Sequence, residues 1–130
     1  MRLRQALHDA LLAEAARCLP LEACGLVGGD GEQPVHFIAC RNARASSYGY
    51  AIAPEEVLAA LKAFAAQGQS LSAIFHAHPR GAAMPSATDV GEAMYPGVLQ
   101  LIAGFDGSPH LRGFWIEGGT VREEPLEIVP

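Results

Sequence analysis

Basic residues are few in this chain, nine lysines and arginines against fourteen aspartates and glutamates, and they form no block. A formal charge of -5 without a cationic stripe excludes the usual electrostatic footprint for nucleic acid or an anionic membrane. No apolar run approaches the length of a membrane span. The amino-terminal stretch carries Asp9 and Glu14 among its leucines and has neither a continuous apolar core nor a small-residue cleavage site, so a signal peptide is not expected. Cysteine is limited to Cys18, Cys24 and Cys40, an odd number whose spacing matches neither a zinc knuckle nor a C-x-x-C redox pair. A reducing, cytoplasmic setting is the expectation. No internal repeat or low-complexity linker divides the chain.

What the sequence does contain is enough apolar material for a core. Half of its 130 residues are apolar, so residues 1–130 are expected to form one domain without help from disulfides. Leu3, Leu7, Ala10, Leu11 and Cys18 recur at helical spacing and predict an amphipathic helix from Arg4 to about Arg17, stopped at Leu19-Pro20 because the residue before proline avoids the helical region. Leu21 to Gly28 reads as a strand with Glu22 at its start, turning through Gly28-Gly29-Asp30-Gly31 toward a second strand, Val35 to Cys40. Arg41 to Ser47 is a polar connection of the kind that borders active sites, and Tyr48 to Ile52 reads as another short strand. Ala53-Pro54-Glu55-Glu56 opens a helix whose apolar stripe is Val57, Leu58, Leu61, Phe64 and Ala65, with Gly68 just past its end. Val98 to Phe105 and Leu111 to Glu117 read as strands, followed by a final strand region from Val121 to Val129 that Pro125 interrupts. Helices separated by strands and hairpins imply a mixed α/β domain of the α+β type, a largely antiparallel sheet flanked by helices.

The chemistry concentrates between Ala73 and Asp89. The apolar approach Leu71-Ser72-Ala73-Ile74-Phe75 predicts a buried strand with His76 and His78 at its carboxyl end, stopped by Pro79. Side chains two apart on a strand share a face, so the two imidazoles lie side by side while Phe75 and Ala77 turn away. Pro85-Ser86-Ala87-Thr88-Asp89 then carries a helix start, with Ser86 as N-cap and Asp89 as its partner three residues on; the helix runs to about Met94. Two neutral imidazoles and a carboxylate leave a fourth tetrahedral position for water, the pattern of a catalytic rather than a structural zinc site. A lone histidine after an apolar run is more often satisfied core or surface, and Asp89 alone would be only a cap. The three together, in phase, favour a metal. Cys24, within an apolar run, is expected to be inert core.

His76-Ala77-His78-Pro79, ten intervening residues after His78 and then Asp89, with Pro85-Ser86 just before it, resembles the signature of the JAMM (MPN-plus) metallopeptidases, which include zinc deubiquitinases and their prokaryotic relatives. Pro20-Leu21-Glu22-Ala23-Cys24-Gly25-Leu26-Val27-Gly28-Gly29 is similar to that family's amino-terminal segment, in which a glutamate three residues before a glycine is the general base. Without that context, a glutamate at the position of Glu22 would usually be a solvated strand-edge residue. The resemblance implies the MPN fold, one zinc held by His76, His78 and Asp89, Glu22 as general base, and Ser86 as hydrogen-bond donor to the developing oxyanion. Ala77 departs from the serine that many members carry between the histidines.

The implied reaction is metal-assisted amide hydrolysis. A metal-free scaffold of the same fold is the competing class, but scaffolds lose the ligands that are present here. A nucleoside deaminase would need His-x-Glu and Pro-Cys-x-x-Cys, and neither occurs. Only eight residues separate Asp89 from Val98, which leaves no room for the insertions by which larger relatives select polyubiquitin linkages. The small size resembles stand-alone JAMM peptidases that process small ubiquitin-like sulfur-carrier proteins, so the expected substrate is an amide next to such a carrier's carboxy-terminal Gly-Gly tail. That tail would be bound by addition to a strand edge near the metal. A general small-peptide isopeptidase is the alternative activity.

Overall fold

The computed structural model describes residues 1–91, 95 and 97–130. Its elements run β1 (Arg2–Arg4), α1 (Gln5–Cys18), β2 (Cys24–Asp30), β3 (Gln33–Cys40), α2 (Pro54–Ala66), β4 (Ser70–His78), α3 (Ala87–Gly91), β5 (Leu99–Gly104), β6 (His110–Glu117), β7 (Thr120–Glu124) and β8 (Glu127–Val129). Six strands form one sheet in the order β3-β2-β4-β5-β6-β7. Every neighbouring pair is antiparallel except β4 with β5, whose parallel crossover carries α3. The expected mixed, largely antiparallel sheet flanked by helices is the observed architecture.

Alternation along β4 divides the molecule into two cores. Ala73, Phe75 and Ala77 face α1 and pack with Leu3, Leu7, Leu11, Leu99 and Leu101, while Ile74 turns to the other face with Leu26 and with Ala60 and Phe64 of α2. Phe64 and Phe75 are fully buried, each contributing about 1.5–3 kcal/mol by area removed from water. α2 approaches closely because Gly28 lies under Phe64, where a β-carbon would overlap the ring. Farther along the sheet, Ile102, Phe114 and Ile116 form a third cluster against Val90 of α3.

Several boundaries differ from the sequence expectation. β2 begins at Cys24, so Glu22 precedes the strand, and the hairpin turns at Gly31, which has φ +63°. Residues 48–52 are not a strand; they belong to an irregular connection. α2 buries Ala60 and Phe64, leaving Leu58 and Leu61 exposed, because the helix contacts the sheet along a narrow line over Gly28. In α1 the exposed Ala10 is off the buried stripe, whereas Glu14 is buried and accepts from the Arg17 guanidinium at 2.7 and 2.6 Å. The chain ends meet in an unanticipated parallel pair, β1 with β8. The expected extension of the third helix beyond Gly91 falls on residues 92–94, outside the described residues. No described helix is long and apolar enough to cross a membrane.

Candidate metal centre

β4 is paired on both flanks, and this ladder sets the directions of His76 and His78. His76 is buried, and its ring stacks on Tyr50 with centroids 4.8 Å apart and planes at 21°. His78 Nδ1 lies 3.1 Å from the Ala82 carbonyl oxygen; a proton held there would free the Nε2 lone pair for a bound cation, in place of the contact that Nε2 makes with Asp89. The loop bearing Ala82 lies against β5 because Phe105 donates its N–H to the Gly81 carbonyl at 2.9 Å and Gly104 has no β-carbon to collide with the Ala83 backbone.

The expected capping box is present. Asp89 donates its backbone N–H to Ser86 Oγ at 3.1 Å, and the Ser86 backbone N–H donates to Asp89 Oδ2 at 2.8 Å. That same Oδ2 lies 3.0 Å from His78 Nε2 and 3.2 Å from His76 Nε2, and the two Nε2 atoms are 3.2 Å apart. Three donor atoms from two elements thus form a nearly equilateral triangle. Four ligands around zinc at about 2.0–2.1 Å lie about 3.3 Å from one another, so the triangle has the dimensions of one face of such a site. Burial opposes charge on Asp89, yet hydrogen bonding to His76 and His78 holds its carboxyl well below the usual range. Burial pushes His76 toward the neutral form that a metal ligand requires.

Glu22 reaches the cluster from the other side. One ligand atom each from Glu22, His76 and His78 lies within 4.8 Å of the others. The Glu22 side chain is buried, and its Oε1 has no hydrogen-bond partner among the described residues. Burial, opposed by His78 and reinforced by Asp89, pushes its carboxyl up to about 7. A buried, unpartnered carboxylate oxygen facing a converged N, N, O donor set fits a divalent cation of zinc's ligand preference.

All five residues singled out in the sequence therefore gather at the carboxyl end of β4. Sequence reasoning missed Tyr50 beneath His76, the Ala82 carbonyl behind His78, and Asn42, whose Nδ2 donates to the Glu22 carbonyl at 3.1 Å. Cys24 is the cross-strand neighbour of His76, but burial pushes its thiol up to about 12, so it stays protonated and unreactive. A cavity of about 490 Å3, lined by His76, Asp89, Tyr50, Ile52, Leu26 and Gln100 among others, opens beside the donors. In the six-stranded sheet the free edges are β3 and β7, and at the carboxyl end of β4 the pairing with β2 stops at His76 while that with β5 continues to His78.

Residues 4–117 match the family model described as prokaryotic homologs of the JAB domain. The CysO-cysteine peptidase of Mycobacterium tuberculosis is 34% identical, with 98% of this chain and 90% of that protein aligned. The desampylase of Haloferax volcanii is also 34% identical, over 77% of each chain. Among solved structures, protein DSY2949 of Desulfitobacterium hafniense superposes with a TM-score of 0.87 at 31% identity, covering 99% of this chain and 93% of that one. A structure described as JAMM, a metalloprotease-like zinc site in the proteasome and signalosome, shares the fold at a TM-score of 0.65 and 18% identity, covering 100% of this chain and 98% of that one.

Proposed function

The chain belongs to the family of prokaryotic homologs of the JAB domain and is a peptidase of the JAMM type, and we propose that it hydrolyses the amide bond next to the carboxy-terminal Gly-Gly tail of a small ubiquitin-like sulfur-carrier protein. The observation that carries this reading is the triangle of His76, His78 and Asp89 atoms, 3.0 to 3.2 Å on each edge, facing the buried carboxylate of Glu22. His76, His78 and Asp89 would hold one zinc ion, which when bound supplies Lewis acidity, polarising the scissile carbonyl and acidifying water.

The remaining work falls to the chain's own side chains. Glu22 accepts the proton of the attacking water and passes it to the leaving amine, a transfer suited to a buried carboxylate within reach of the histidine nitrogens. Ser86 uses its hydroxyl oxygen to accept the Asp89 N–H at 3.1 Å, which leaves the hydroxyl proton free to donate to the oxyanion. A Gly-Gly tail suits the approach, since it brings no side chains to clash beside the donors. The relatives' names, a peptidase for a CysO-cysteine adduct and a desampylase, support a carrier-type substrate.

The test incubates zinc-loaded protein with a Gly-Gly-tailed carrier bearing a carboxy-terminal cysteine and follows intact mass. Loss of the terminal cysteine is expected. Survival of that adduct and related extensions while unrelated peptides are cut would sink the carrier assignment and leave the peptidase.

A further inference from the structure

Residues 42–51 connect β3 toward α2 without a helix or strand, yet one half-buried side chain ties them together. Asn42 Nδ2 donates to the carbonyls of Gly49 at 2.9 Å and Glu22 at 3.1 Å, with Ser46 O at 3.3 Å sharing a hydrogen. Its Oδ1 accepts from the backbone N–H groups of Arg44 at 3.0 Å and Ala51 at 3.2 Å. An amide offers two hydrogens and two lone pairs, and here all are engaged with the main chain. The Asn42 backbone carbonyl also accepts the Ala45 N–H at 3.0 Å, closing a turn in which Ala45 sits at φ +47°. A residue with a β-carbon adopts that left-handed conformation only where its surroundings over-determine it.

Glu22 depends on this loop. It precedes β2, so sheet pairing does not direct it; its N–H donates to the Ser46 carbonyl at 2.9 Å and its own carbonyl takes the Asn42 amide. Near the other end of the same loop, Tyr50 stacks on His76. We propose that Asn42 is a positioning residue of the active centre, locking the Glu22 main chain and the Tyr50 ring into one unit that sets the reach of the Glu22 carboxylate toward the histidine nitrogens. The proposal rests on the reading of Glu22 as the general base.

Asn42→Ala and Asn42→Asp test it. The aspartate removes the donor shared by Glu22, Ser46 and Gly49 but keeps the size and the bonds accepted from Arg44 and Ala51, so part of the loop's anchoring survives where alanine loses all of it. In both, kcat on the carrier adduct is expected to fall roughly 10- to 100-fold, the scale of a misplacement of about 1 Å. KM is expected to stay within about threefold and zinc content to be unchanged; an unfolded fraction would also lower kcat at constant KM but would lose its zinc, so the retained zinc separates positioning from loss of stability. Combined with Glu22→Gln, the Asn42→Ala loss should vanish, because the residue acts through Glu22. A kcat within about twofold of wild type in both variants overturns the proposal, as does an undiminished loss in the Glu22→Gln background. A readout independent of turnover is the NMR shift of the His76 ring protons, displaced by the Tyr50 ring current in wild type and expected to relax in Asn42→Ala. Should wild type leave every adduct intact, the carrier reading fails, and those resonances decide alone: moved, they uphold the positioning role; unmoved, they overturn it.

Discussion

The two sides of the centre are held by different means. His76 and His78 are mounted on β4, hydrogen-bonded on both flanks, and Asp89 is fixed by a reciprocal capping box, so the donor triangle is an outgrowth of regular structure. Glu22 sits before its strand and is held by an irregular loop through one asparagine amide and one backbone bond. A metal cradle tolerates little error in donor placement, and a sheet supplies that rigidity. A proton carrier must move between water and leaving group, which suits a side chain fastened only through its backbone. On the proposed reading the contrast is between a side that would bind the metal and a side that would react, and substitutions should separate them.

Glu22→Gln is expected to separate them most sharply. The amide matches the carboxylate in shape but accepts no proton, so turnover should fall by about 10²- to 10⁴-fold while zinc content and thermal midpoint stay near wild type. Steady-state kinetics beside elemental analysis would check this, and a variant keeping most of its turnover would remove Glu22 from the mechanism. Ser86→Ala should have the next largest effect, because Ser86 belongs to both sides. Loss of an oxyanion donor costs about 10²-fold in kcat, and loss of the cap about 1 kcal/mol of stability. A midpoint shift without a kcat loss would confine Ser86 to capping. Cys24→Ser should change least: although Cys24 neighbours His76 in the sheet, turnover is expected within about threefold of wild type, since the thiol takes no part. A collapse of kcat with zinc retained would restore a nucleophile reading for Cys24.

The same contrast decided what was legible in the sequence. His76 and His78 were readable because a strand's period of two fixes which residues share a face, and Asp89 because a capping box has fixed spacing. Ser86 followed from the same box, while Glu22 was placed only by family resemblance, since before a strand no periodicity marks a residue. The connection from Arg41 to Ser47 was legible as a border of the site, but not which residue in it matters, nor the stacking of Tyr50: loop geometry comes from side-chain to main-chain bonds between residues whose order shows no repeat. In the fold, the existence of α1, α2 and the major strands was plain from apolar spacing. The buried face of α2 was misjudged because Gly28 admits one ring, Phe64, and thereby narrows the contact. The β1 and β8 pairing joins the two ends of the chain, a separation that local patterns do not encode.

The metal cradle itself is tested most directly by the zinc content of purified, zinc-supplemented protein, measured beside His76→Ala and His78→Ala. About one equivalent per chain is expected in wild type, with zinc lost from each histidine variant while the domain stays folded. Wild-type protein that is folded yet holds less than about a tenth of an equivalent would contradict the assignment of His76, His78 and Asp89 as zinc ligands.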